Sequence, residues 1–296
     1  MSRYSDILLH ITFILLSVGI IMVYSSSVKP HTTYLSGLST LTKQISSLSI
    51  GLVMLVVASR VNHRKLMYLS KGLLIFSIII VIIGYITSYG QTTHRWLLLF
   101  GRSVFQTSEL AKICLIIFTA AFIDNNKRKL TDIRFMFFNY YIYMLPCIGL
   151  ILFQPDLSSA AIILLICMSM LFVAGINWKQ IKYFLLFGLL GFVIKVVLYP
   201  LITGVKNYQF FRFFEFLSGN VYQQDNAINS IAYGGASGMG LGKSIWKTEH
   251  VPEANTDFIF SVITSEFGLA GFIFLFAAFL CLFIRGIIIV KECQDL

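Results

Sequence analysis

"FIFSVITSEFGLAGFIFLFAAFLCLFI", residues Phe258–Ile284, holds one charged side chain, Glu266, in 27 positions. A helix that crosses a bilayer needs roughly 20 mostly apolar residues, so this stretch predicts a membrane span. Seven further apolar runs lie upstream, near 7–24, 45–59, 72–88, 109–123, 136–152, 157–175 and 183–201. The run at 109–123 is the least apolar, because Glu109 and Lys112 stand at its start. Together they predict an all-α fold, a polytopic membrane bundle of about eight transmembrane helices with a large extracytoplasmic loop before the last.

Composition agrees. Of 296 residues 57% are hydrophobic and 12% charged, with a mean hydropathy of +0.82, whereas soluble domains carry about a quarter charged residues. No internal repeat or linker interrupts the chain, which reads as a single membrane domain over 1–296 with the loop 202–257 inside it. The first apolar run has no small-residue cleavage site after it, which predicts a retained helix rather than a removed leader. Cys114, Cys147, Cys167 and Cys281 fall inside predicted helices and Cys293 in the tail, so packing is their expected role.

Positive charge sets the orientation. Arg60, Arg64, Lys65 and Lys71 mark the connection 60–71; Lys127, Arg128, Lys129 and Arg134 mark 124–135; Lys179 and Lys182 mark 176–182. Short loops rich in Lys and Arg stay cytoplasmic. Both termini are then cytoplasmic, and 25–44, 89–108, 153–156 and 202–257 face outward. The net charge of +10 is thereby an orientation signal rather than a nucleic-acid footprint. Of thirteen acids, Asp6, Asp124, Asp132, Glu292 and Asp295 fall on the cytoplasmic side, while Glu109, Asp156, Glu215, Asp225, Glu249, Glu253, Asp257 and Glu266 lie outside or within spans. Ionisable groups at membrane depth are expensive unless paired or hydrated, so the set predicts a functional site open to the outer face.

Two features precede the last span. Gly234, Gly235, Gly238, Gly240 and Gly242 lead into Lys243-Ser244, which resembles the end of a phosphate-binding loop. A P-loop also needs a glycine five positions before the one preceding the lysine, and Ser237 stands there. The glycines are expected instead to allow tight turns or a close approach to a helix, with Lys243 and Lys247 able to meet an anionic head group. Beyond them, Pro252 suits the first turn of a helix, which would put Glu253 and Asp257 on one face, four residues apart, at the lip of the span. A helix N-terminus favours the ionised carboxylate, while desolvation and mutual repulsion favour the protonated one. A carboxylate poised in this way suits general-base work.

"KTEHVPEANTDFIFSVITSEFGLAG", Lys247–Gly271, closely resembles the signature of the shape, elongation, division and sporulation family of membrane glycosyltransferases. "MVYSSS" at Met22–Ser27, "HRWLLLFGRSVFQTSELAK" at His94–Lys112, "FQPDLSSA" at Phe153–Ala160 and "FRFFEFL" at Phe211–Leu217 agree with it in order and spacing. "GLGKS" followed by "VPEANTDFIF" is more similar to the division branch than to the elongation branch. The resemblance covers nearly the whole chain.

The resemblance implies polymerisation of peptidoglycan glycan strands from lipid II at the outer face of the bacterial cytoplasmic membrane, with septal localisation. Asp257 would take the proton from an acceptor hydroxyl attacking the anomeric carbon, and undecaprenyl diphosphate would leave. Arg95 and Trp96, matching the family's R-W pair, would hold diphosphate oxygens and pack on sugar or lipid, or anchor the interface. Lys112 would contact substrate or neutralise Glu109. Gln154 and Asp156 belong to Q-P-D-L, where Pro155 ends a helix and Asp156 could cap the next. Arg212, Lys243, Glu249 and Glu253 complete the expected substrate-binding set. A Mg2+ or Mn2+ ion bridging the diphosphate would take oxygen ligands, although no dedicated metal cage shows in the sequence. The growing glycan strand, a class B penicillin-binding protein and other division proteins are the implied partners, with the lipid bilayer and no nucleic acid.

The sequence departs from the family pattern in places. Thr107 stands for the proline of F-Q-P-S-E-L, Ser158-Ser159 for the G-T of Q-P-D-L-G-T-A, and Ser265 for the first glutamate of E-E-L-G. The family usually has ten spans, whereas this chain reaches "IIIVKECQDL" after its eighth. Two other readings stay open: a lipid II flippase using Lys112, Glu109 and Lys195 along a path through the bundle, and an inactive division scaffold.

Overall fold

The computed structural model describes residues 2–28, 35–88, 95–99, 102–154, 156–198, 222–244 and 253–292. In chain order the elements are α1 (Ser2–Ser27), α2 (Leu35–Arg60), α3 (His63–Thr87), β1 (Trp96–Leu99), β2 (Arg102–Gln106), α4 (Thr107–Asn125), α5 (Ile133–Phe153), α6 (Leu157–Val173), α7 (Trp178–Val197), α8 (Tyr222–Gly234) and α9 (Ile259–Glu292). The described part of each expected apolar run is mainly helical. Among the described residues, six helices are long and apolar enough to cross a membrane: α1, α2, α3, α5, α7 and α9. The remaining two runs are α6, only 17 residues long, and α4, which carries Glu109, Lys112 and Asp124.

Side chains that would be misplaced in water support a bilayer surround. Ile50, Val53, Met54 and Val57 on α2 are each more than half exposed. Hydrocarbon is the environment that suits such a continuous apolar face. Helix starts are set by local chemistry: Asn62, Asp132, Asp156 and Asn177 each accept a first-turn backbone N–H and so begin α3, α5, α6 and α7.

The chain divides into two compact units. Arg60–Phe214 is built on α3, α4, α5 and α6, whose core includes Leu74, Leu115, Phe118, Tyr140, Met144, Ile151 and Ile163. Phe118 stacks on Tyr140 with ring centroids 5.7 Å apart. The buried Tyr140 hydroxyl is satisfied by Thr119 Oγ1 at 2.9 Å, since an unpaired hydroxyl in apolar surroundings is costly. Cys114, Cys147 and Cys167 are free, buried thiols, as packing predicts. A π-helical turn at Phe137–Tyr141 interrupts α5.

The hairpin was not legible in the sequence, where 89–108 read only as a connection. β1 and β2 pair antiparallel, with Trp96 opposite Gln106 and an irregularity between Leu97 and Leu98. β2 runs directly into α4, so the hairpin fixes where that helix begins.

The other unit, Met1–Ser59 with Glu215–Leu296, packs α1 on α9 through Met22, Val262, Ile263 and Leu275. Within it α9 is broken at Gly268, whose φ of 61° and ψ of −148° are not helical.

Candidate active site

Asp257 lies in a turn spanning residues 253–258, two positions ahead of the first residue of α9. Its side chain is exposed and, among the described residues, makes no hydrogen bond or ion pair. The expected helix from Pro252 does not form in the described part: the Thr256 and Phe258 amides both donate to Glu253 O, at 3.1 and 3.3 Å. Glu253 adopts a left-handed φ of 52°, so it and Asp257 do not share a helical face. Within the turn the Thr256 side chain takes a backbone partner of its own, Thr256 Oγ1 donating to Glu253 O at 3.3 Å. A positive φ at a residue other than glycine is uncommon and tends to mark a functional turn.

Next to this turn in the same unit, the glycine run docks on the break in α9. Met239 N donates to Ser265 O at 3.0 Å, Gly240 N to Glu266 O at 2.9 Å, and Leu269 N to Ala236 O at 3.2 Å. These bonds satisfy carbonyls and an amide that the break at Gly268 strips of helical partners, an obligation that is severe where water is scarce. The expectation of close backbone approach is met: a Cβ on Gly234 would stand 2.5 Å from Ser265 Cα, and one on Gly238 would stand 2.4 Å from Glu266 O. The amides of Met239 and Gly240 are thereby committed to α9 rather than open to a phosphate. Lys243, expected to meet an anionic head group, is exposed at the end of this loop.

Behind the break, Ser25 Oγ lies 2.8 and 2.9 Å from the two Glu266 carboxylate oxygens. Glu266 is 1% exposed, and the contact ties the "MVYSSS" stretch of α1 to α9. Glu266 is one of the eight acids expected outside or within spans and Ser25 lies in the quoted "MVYSSS", but their pairing was not foreseen.

In the other unit, two of the quoted motifs, His94–Lys112 and Phe153–Ala160, meet at Asp156. Its carboxylate accepts from Gln106 Nε2 at 2.8 Å and Ser108 Oγ at 3.0 Å, caps α6 through Ser159 N at 3.3 Å, and faces Arg95 Nη1 at 3.8 Å. Gln154, fully buried, donates to Val81 O at 2.8 Å and accepts from Thr107 Oγ1 at 3.1 Å. The Thr107 amide closes the network on Arg95 O at 3.2 Å. Asp156 and Gln154 are thus interior groups that fix the hairpin to the ends of α4 and α6, while Arg95 is partly exposed and Trp96 exposed at the surface of that construction. Gln106, Ser108 and Thr107 were missed as members, although all three sit in the quoted "FQTSELAK" stretch.

Lys112 Nζ pairs with Glu109 Oε1 at 2.8 Å, the neutralisation their spacing allows. Arg212 and Glu249 lie outside the described residues, as do Pro155, Lys247 and Pro252. No three of His, Cys, Asp and Glu converge among the described residues.

A bundle of apolar helices, six of them among the described residues long and apolar enough to cross a membrane, defines a polytopic membrane protein. The model of the FtsW, RodA and SpoVE family, described as "Cell cycle protein", matches residues 6–296, and the chain belongs to this shape, elongation, division and sporulation family. It is 30% identical over 296 residues to "Probable peptidoglycan glycosyltransferase FtsW" of Legionella pneumophila, an alignment covering 97% of this chain and 73% of that protein. It is 29% identical over 300 residues to "Stage V sporulation protein E" of Bacillus subtilis, covering 98% and 80%. Its fold is like that of the rod shape determining protein RodA of Thermus thermophilus, with a TM-score of 0.66 at 21% identity over 98% of this chain and 76% of that one. A chain of a peptidoglycan synthase complex matches with a TM-score of 0.72 at 22% identity, over 98% and 79%.

Proposed function

We propose that this protein is a peptidoglycan glycosyltransferase that polymerises lipid II at the outer face of the cytoplasmic membrane during division. The observation that carries the assignment of a base is the position of Asp257: exposed, without an ion pair among the described residues, and just ahead of the apolar helix α9. With no competing partner among the described residues, this carboxylate is open to an incoming hydroxyl. In the reaction, a sugar hydroxyl of the acceptor loses its proton to Asp257 as its oxygen bonds the anomeric carbon of the donor. The bond from that carbon to the diphosphate oxygen breaks, the configuration inverts, and undecaprenyl diphosphate leaves with the electron pair. The activated diphosphate is already in the substrate, so no nucleotide is needed.

Substrate contacts follow from exposure. Arg95 and Trp96 are the outward members of the Asp156 network and would meet diphosphate and sugar or lipid. Gln154 and Asp156 act through them as positioning residues. Lys112, Lys243, Glu253, Arg212 and Glu249 are further candidate contacts. A class B penicillin-binding protein is the proposed partner, as a peptidoglycan synthase complex is among the related structures.

The test is polymerisation of labelled lipid II by purified protein, with and without such a partner, read as glycan ladders on a gel. Asp257→Asn keeps the side-chain volume and removes the base. Ladders from that variant at the wild-type rate would overturn the role of Asp257. Movement of labelled lipid across vesicles with no ladders from the wild type would overturn the polymerase reading in favour of transport.

A further inference from the structure

A groove of about 280 Å³ runs between α5 and α7, away from the Asp156 network. Ile133, Phe137, Tyr141 and Leu145 line it from α5, spaced by four residues so that they form one stripe along the helix. Tyr183, Phe184 and Phe187 face them from the first turns of α7, with the Tyr141 and Phe184 rings 6.0 Å apart. Every lining side chain is apolar or aromatic, and the π-helical turn Phe137–Tyr141 forms part of the wall.

The end of the groove is basic. α5 and α7 begin side by side: Gln180, buried in the first turn of α7, donates to Leu130 O, just ahead of α5, at 2.9 Å. That contact gathers Arg128, Arg134, Lys179 and Lys182, all exposed, at one end of the pair. None of the four makes an ion pair among the described residues, whereas their neighbour Lys127 is held by Asp124 at 3.0 Å and Lys129 lies over the Phe135 ring. The two acids at this end are both engaged, Asp124 with Lys127 and Asp132 in capping α5. An apolar slot capped by unpaired cations matches one kind of molecule: hydrocarbon chain below, negative charge above. Basic pockets between transmembrane helices on the cytoplasmic side hold anionic lipid head groups.

We infer that the groove between α5 and α7 is a binding site for a phospholipid with an anionic head group, its acyl chain against Tyr141, Phe184 and Phe187 and its phosphate among Arg134, Lys179 and Lys182. The site is independent of the glycosyl-transfer reading, since none of its residues belongs to the proposed substrate machinery.

The experiment reconstitutes the full chain in nanodiscs holding equal amounts of phosphatidylglycerol and phosphatidylethanolamine. The protein is then extracted in mild detergent, and the lipids that stay bound are counted by native mass spectrometry. Wild type is expected to retain phosphatidylglycerol in excess. Arg134→Gln and Lys182→Gln should each lower that excess roughly fivefold, the order expected for one basic side chain at an anionic surface. Leu145→Trp, which fills the slot and leaves the charges in place, should abolish retention. Tyr183→Ala, at an exposed position that folding does not depend on, should weaken retention and guards against a misfolded Leu145→Trp. Equal retention of the two lipids by wild type overturns the proposal and leaves only a bulk annulus. Undiminished retention in both Leu145→Trp and Tyr183→Ala also overturns it, pointing to charge alone, as for an acidic peptide.

Discussion

Gly238 and Gly268 meet backbone to backbone: a Cβ on Gly268 would lie 2.4 Å from Gly238 N, and a Cβ on Gly238 would lie 2.7 Å from Gly268 N. Both also have positive φ, 75° and 61°, so an alanine at either position is strained in conformation and blocked in space. Gly238→Ala and Gly268→Ala are each expected to destabilise the protein by about 2–4 kcal/mol. Gly235 and Gly242 also have positive φ but nothing within 4 Å of a built Cβ. Alanine there should cost only about 1 kcal/mol, from backbone strain alone. Thermal unfolding of the four variants in detergent checks the ranking, and equal losses at all four positions would contradict it.

Asp257→Asn should separate activity from stability. The side chain is exposed, with no partner among the described residues, so the unfolding midpoint should stay at the wild-type value. The rate of glycan formation should fall by about 10²–10⁴-fold, the contribution of a positioned general base. Single-turnover assays on lipid II alongside the melting curve distinguish this from a folding defect.

Asp156→Asn should behave in the opposite way. Asparagine can still cap α6, but it loses the charge facing Arg95 and weakens the bonds from Gln106 and Ser108. A loss of about 1–3 kcal/mol in stability is expected. If Asp156 holds Arg95 for substrate, KM for lipid II should rise as well, which a purely structural role would not produce.

Thr107→Val tests the network from its other side. The substitution keeps the branched shape and removes the hydroxyl that Gln154 Oε1 accepts from at 3.1 Å, leaving a buried acceptor short of a donor. About 1–2 kcal/mol of destabilisation should follow. Thr107→Pro also removes the amide that bonds Arg95 O, but proline suits the first position of α4. It should therefore be tolerated better than an interior proline, which costs about 3 kcal/mol.

The apolar helices were legible because each depends only on a run of apolar side chains; the described part of each of the eight runs is mainly helical, and six of those helices are long and apolar enough to cross a membrane. The capping role of Asp156 and the pairing of Glu109 with Lys112 were legible too, since both follow from local spacing. What the sequence concealed is tertiary. Nothing in "FQTSELAK" announces that Gln106 and Ser108 reach Asp156, some fifty positions away. The start of α9 differs from the expectation for a local reason: Pro252 invites a helix, but bonds from Thr256 and Phe258 to Glu253 O close a turn that lasts until Phe258.

The docking of the glycine run on α9 also changes what those glycines mean. Such a segment ordinarily implies slack, with amides that exchange their hydrogens within moments. Here the amides of Met239 and Gly240 are tied to carbonyls of a membrane helix, so deuterium should enter them as slowly as it enters the helix itself. The absence of side chains buys intimacy rather than freedom, and the loop moves only when the helix beneath it does.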